Sequence, residues 1–135
     1  MSDLSWPVQQ MVYSTLTANA GVKALVGAPA RVYDNPPTDP TFPYITIGDD
    51  TAREAGAQTF DGQEITLTIH AWSRYGGRKQ AKQIAAAVYD ALHDQSPSLT
   101  GGTLVNLRYE FGTTMQDPDG LTWHAASRFR ASVCD

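Results

Sequence analysis

The chain has 135 residues, 41% of them hydrophobic, and a formal net charge of −4 at pH 7 from 10 Lys and Arg against 14 Asp and Glu. That length suffices for one domain with a real core, and the acidic balance argues against a generic nucleic-acid binder, which needs a basic surface. No apolar run approaches the ~20 residues needed to cross a membrane, the lone Cys134 excludes an internal disulfide, and the opening MSDLSWPVQQ lacks the regions of a secretory signal, so a soluble cytoplasmic single domain over residues 1–135 is expected.

In chain order, Asp3 or Ser5 can cap a first helix, with Pro7 suited to its first turn. Val8, Met11, Val12, Thr15 and Leu16 form its apolar stripe, and Asn19-Ala20-Gly21 ends it. Val22, Leu25 and Val26 suggest a short second helical piece closed by Gly27. Between Pro29 and Pro43 the prolines hold the chain extended, with a short strand expected from Arg31 to Tyr33. The next strand runs from Tyr44 to Gly48, with Ile45 and Ile47 inward.

The segment DDTAREAGAQTFDG, from Asp49 to Gly62, has no periodicity and reads as a long connection, the kind that is functional or mobile. The stretch that follows organises the chain. EITLTIHAWS alternates, with Ile65, Leu67, Ile69 and Ala71 on one face and Thr66, Thr68, His70 and Trp72 on the other. After Gly76-Gly77 the period becomes helical, and Ala81, Ile84, Ala85, Val88 and Leu92 form one stripe. From Thr103 to Phe111 the pattern alternates again, with Val105, Leu107, Tyr109 and Phe111 inward. A tight turn at Gln116-Asp117-Pro118-Asp119-Gly120 uses a positive φ at Gly120. The last strand, from Leu121 to Val133, turns Leu121, Trp123, Ala125, Phe129, Ala131 and Val133 inward and Thr122, His124, Arg128 and Arg130 outward. Strands apolar on one face only imply an α+β two-layer domain: a mainly antiparallel four-stranded sheet with two main helices packed on one face.

The run FPYITIG at residues 42–48, the run GQEITLTIHAWSRYGGRKQAKQIAAAVYDAL at residues 62–92, the N-terminal helix and VYDNPP at residues 32–37 resemble the small tail-terminator proteins of long-tailed phages and gene transfer agents, also called tail-completion or head–tail joining proteins. The motifs that carry the resemblance are structural. It implies a virion protein without cofactor, assembled in the bacterial cytoplasm: a homo-oligomer, a hexameric ring in the particle, that caps the tail tube and joins it to the head connector (stopper or adaptor). DNA would pass through its lumen without sequence-specific binding, and no membrane is involved. An acidic lumen would let DNA slide.

Candidates for chemistry are few. His70 and His124 both face outward and become neighbours if their strands pair; with Asp61 or Glu64 they would make a zinc set, but no H-x-x-x-H or C-x-x-C spacing supports one. There is no G-x-S-x-G, no histidine lies near Cys134 in sequence, and Gly76-Gly77-Arg78-Lys79 lacks phosphate-loop spacing. The competing readings are a small metal-dependent or hydrolytic enzyme using His70 and His124, and a monomeric binding module. The helix-free face, expected to expose Thr66, Thr68, His70, Trp72, Asn106, Arg108, Glu110, His124, Arg128 and Arg130, has the arginine-plus-aromatic composition of an interface. The candidate assembly contacts are therefore Asp49, Asp50, Arg53, Glu54, Phe60, Asp61, Trp72, Arg108 and Arg128, and deletion of Thr51 to Thr59 is expected to spare folding while abolishing tail completion.

Overall fold

A computed structural model describes residues 3–55 and 62–135. Its elements are α1 (Ser5–Ala18), α2 (Ala20–Val26), β1 (Val32–Tyr33), β2 (Tyr44–Glu54), β3 (Gly62–Ser73), α3 (Lys79–Leu92), β4 (Thr103–Gln116) and β5 (Trp123–Cys134). The apolar stripe of α1 is buried at Val8, Met11, Val12 and Leu16. Its entry is held from two sides: Asp3 Oδ1 accepts the Ser5 N–H, and Gln63 Oε1 of β3 accepts the Leu4 N–H, each at 2.9 Å. Asn19 does more than end α1. Its Oδ1 accepts the Val22 N–H at 3.0 Å and so starts α2 within two residues.

The sheet has five strands in the order β1-β2-β3-β5-β4, which corrects the four-stranded expectation. β1 is parallel to β2, through Val32↔Ile45 and Tyr33↔Thr46, so the sheet is mixed, and every other pairing is antiparallel. The reason lies in the proline-rich crossing from Tyr33 to Tyr44, which carries the chain back in the same direction and not through a hairpin. β3 sits at the centre and alternates from end to end, with Gln63, Ile65, Leu67, Ile69, Ala71 and Ser73 buried. β5 matches it with Ala125, Ser127, Phe129, Ala131 and Val133. α3 crosses these strands and β4, burying Ala81, Ile84, Val88, Ala91 and Leu92, while α1 covers β2 and β1. Three helices thus cover one face, and the core between the layers joins Ile69, Val88 and Phe129 as the sequence pattern requires.

Two bulges overturn the expected faces of β4. Its register against β5 slips at Val105 and again at Glu110. Each extra residue inverts the parity of the strand. Leu104, Leu107 and Tyr109 therefore pack toward the core, whereas Val105 and Phe111 are both 53% exposed and not inward. Phe111 falls opposite Arg128 on the helix-free face. At the start of β5 the expectation also inverts: Leu121 is exposed and Thr122 is buried, because both residues belong to the turn. There Asp119 Oδ1 accepts the N–H groups of Leu121 and Thr122, its Oδ2 accepts the Thr122 hydroxyl, and Gly120 takes the expected positive φ of 73°. These bonds, the Thr122 hydroxyl first, hold the Asp119 carboxyl below its usual range.

Candidate functional site

The helix-free face divides into an aromatic end and an arginine end. At the aromatic end, β3 places Trp72 between Tyr44 of β2 and His124 of β5. The indole stacks on the His124 ring at 4.0 Å between centroids and 11° between planes, and its Nε1 donates to Thr46 Oγ1 at 2.9 Å. Tyr44 stacks on the other side at 6.2 Å, and Phe42 closes on Tyr44 edge-on at 5.0 Å. Arg74 lies over the Phe42 ring at 4.2 Å and bonds Thr122 Oγ1 at 3.1 Å, tying the cluster to the turn before β5. Trp72, His70 and His124 are half-buried by one another, not openly exposed as expected.

His70 and His124 do meet: Nδ1 of the first lies 2.5 Å from Nε2 of the second, one nitrogen donating and the other accepting. A doubly protonated pair has no acceptor and cannot make this bond. Both imidazoles are held below their ordinary range. Burial is the first cause in each case. The neighbouring His124 adds to it at His70, and the carboxylates Asp49 (for His70) and Asp117 (for His124) oppose it. The unfolded chain therefore takes up protons first as pH falls through about 6.5, so stability is complete above that value and declines below it. Melting temperature is expected to fall between about pH 7 and pH 5, with a shallower fall in the His70→Gln, His124→Gln double variant. Equal slopes in the two proteins would show that the pair does not set the dependence. Asp117 Oδ1 lies 3.9 Å from His124 Nδ1 and does not complete a metal ligand set with the pair. Glu64 is engaged with Arg53 at 3.7 Å, Asp61 lies outside the described residues, and no group of three or more His, Cys, Asp or Glu among the described residues is arranged to hold a metal.

At the arginine end, Arg130 pairs with Arg108 across β5 and β4. The bulge residue Glu110 reaches both β5 arginines, at 3.2 Å from Arg128 Nε and 3.7 Å from Arg130 Nη1. Both contacts are ion pairs without hydrogen-bond geometry, and the two Nε atoms are buried without a hydrogen bond. Arg108 leans on Asp94 at 3.4 Å. His93 of the same corner accepts the Tyr109 N–H at 3.0 Å through Nδ1 and so ties the end of α3 to β4. Arg128 lies 5.8 Å from the centroid of the Phe111 ring.

The acidic stretch is not the long connection it was expected to be. Asp49, Asp50, Arg53 and Glu54 lie in β2, and Asp50 to Glu54 pair with Leu67 to Gln63 of β3. The register shift between Ile47 and Asp50 bends the strand at Gly48 and Asp49, and both faces of β2 beyond it are exposed. A strand exposed on both faces needs no apolar alternation, which is why the sequence lacked one. Deleting Thr51 to Thr59 would thus remove ladder residues, so the expectation that it spares folding is withdrawn. Phe60 and Asp61 lie outside the described residues. Gly48 is fixed by close approach: an added Cβ would strike the His70 ring and come 3.1 Å from the Thr68 carbonyl. Gly48→Ala is expected to cost about 1–3 kcal/mol in a denaturant titration, the usual cost of overpacking.

Of the expected contacts, the structure groups Arg108 and Arg128 at one end of the face, sets Trp72 in the aromatic end, and puts the four β2 residues on the opposite edge of the sheet. Sequence reasoning missed the exposed Val105, Phe111 and Met115 of β4 and the exposed Trp6 and Tyr13 of α1. Trp6 and Tyr13 had a signal, a seven-residue spacing off the buried stripe. The β4 residues had none, because bulges leave no mark in an apolar alternation.

The chain is similar to proteins of known structure and setting. The family described as tail completion protein gp17 matches residues 10–133. The tail completion protein gp17 of Bacillus phage SPP1 is 29% identical over 105 residues, 76% of this chain and 76% of that protein. A chain in the structure titled virion of native gene transfer agent (GTA) particle has a TM-score of 0.90 at 29% identity, covering 100% of both chains. The structure of bacteriophage SPP1 gp17 protein shares the fold, with a TM-score of 0.63 at 23% identity over 94% of this chain and 88% of that one.

Proposed function

The chain belongs to the tail completion protein gp17 family, and from that premise we propose that it is a non-enzymatic, single-domain structural protein of a phage or gene transfer agent particle, a ring subunit that caps the tail tube and joins it to the head connector. The observation that carries this reading is the likeness, over the full length of both chains, to a chain of a gene transfer agent virion. The expected assembly is a hexamer around a DNA channel, with the tail-tube protein on one side and the connector on the other. Passage without sticking requires a lumen that does not bind phosphates, and a net charge of −4 suits that requirement. Asp49, Asp50 and Glu54 of β2 we assign to assembly contacts within the ring. The arginine end and its neighbours form the contact between subunits.

Imaging the protein mixed with tail tubes of its own particle tests this reading. Sixfold rings seated on tube ends are expected. Protein that decorates the length of the tube, or that leaves the ends bare, would overturn it. The enzyme reading gains no support from the site, because one ring nitrogen of His70 and one of His124 bond to each other, and no group of three or more His, Cys, Asp or Glu among the described residues is arranged to hold a metal.

A further inference from the structure

We propose that neighbouring copies of this chain join through two unlike sheet edges, residues 111–116 of β4 in one copy pairing antiparallel with residues 47–54 of β2 in the next, so that one sheet continues around the ring. The inference rests on the ring reading above and names the surfaces that close it.

Both edges keep uncovered stretches among the described residues, although residues 93 and 94 already close β4 at its middle, where the Asp94 N–H donates to the Leu107 carbonyl at 2.9 Å and the Tyr109 N–H to His93 Nδ1 at 3.0 Å, so the stretch offered is residues 111–116. β4 ends the strand order, and β1 covers β2 only at Ile45 and Thr46. Their directions fit. β2–β3, β3–β5 and β5–β4 are all antiparallel, so the two edges of this four-stranded run point in opposite directions. A second copy in the same orientation, as ring symmetry demands, therefore offers its β2 to β4 in antiparallel sense.

Their charges fit as well. Asp49, Asp50 and Glu54 with the neighbouring Glu64 outnumber Arg53 on one edge, while Arg108, Arg128 and Arg130 outnumber Glu110 and Asp94 on the other. A two-fold pairing of β4 with β4 would bring like charges together, whereas the heterologous pairing brings opposite ones together. Association would also cover Phe111 and Met115, which are 40% exposed or more. The bulge at Glu110 keeps the edge selective, since a partner strand must fit its kink.

Cysteine cross-linking tests the pairing in the full chain carrying Cys134→Ser. Thr51→Cys is combined in turn with Phe111→Cys, Thr113→Cys, Met115→Cys and Gln116→Cys, all at exposed positions, so folding is spared. Copies assembled on tail tubes are oxidised and separated under denaturing conditions. At least one pair is expected to give dimers and higher multiples about tenfold above either single variant, because a disulfide forms only where Cβ atoms approach within about 3.5–4.5 Å. Rings seated on tubes with no such product for any of the four pairs would overturn the edge pairing and leave the ring reading standing. Absence of rings with the unmodified protein would overturn both.

Discussion

Phe129→Ala is expected to destabilise the protein by about 3–5 kcal/mol, the largest loss available from one side chain in this core. Phe129 is fully buried in β5, flanked in the ladder by Leu67 of β3 and Tyr109 of β4, and Tyr109 meets its ring edge-on at 5.6 Å. Truncation leaves a cavity at the junction of three strands and the helical layer, where paired backbones prevent collapse. Against a total stability of about 5–15 kcal/mol, such a loss leaves a fraction of the chain unfolded near 37 °C. Urea titration should register it as a lower midpoint at unchanged slope. A loss below about 1 kcal/mol would mean that the inner face of β5 is not core, and every face assignment would shift with it.

Arg108→Glu is expected to do the reverse: spare the fold and abolish tail completion. The guanidinium is half exposed, and its ion pair with Asp94 is half exposed too, so folding should lose at most about 1 kcal/mol. In assembly the new carboxylate would face the acidic β2 edge of the next copy, and like charges across an interface cost several kcal/mol. Completed particles should fall roughly a hundredfold, and adding Asp50→Arg should restore them in part, since the second change makes the facing pair opposite again. Normal particle numbers from Arg108→Glu alone would remove this residue from the contact. Failure of the second substitution to rescue would remove Asp50 as its counterpart.

Much of the architecture was legible before any coordinates. The central strand from Gly62 to Ser73 and the helix from Lys79 to Leu92 announce themselves because each is buried on one face, which writes a period of two and a period of 3.6 into the sequence. For the same reason the inward set of the last strand, Leu121 apart, and the stripe of α1 were correct, and the run from β3 into α3 carried the resemblance to the family. The meeting of His70 and His124 followed from face assignment once their strands paired.

Other features were decided only by the tertiary structure. β1 is two residues long and takes its place by pairing, so neither its parallel direction nor the fifth strand has a local signal. The second half of β2 is a strand because β3 offers it a ladder, although both its faces are exposed and its side chains carry no alternation. Bulges at Gly48-Asp49, Val105 and Glu110 invert side-chain parity, and a bulge is fixed by register against the partner strand, which one strand's own residues do not encode. That is why Phe111 emerged beside Arg128 and the acidic residues came to line an edge. The sequence by itself determined the layers, the core and the family, since burial imposes periodicity on the chain that supplies it. Only the tertiary structure decided which edges stay open and which charges line them, because those depend on pairing between strands far apart in the chain.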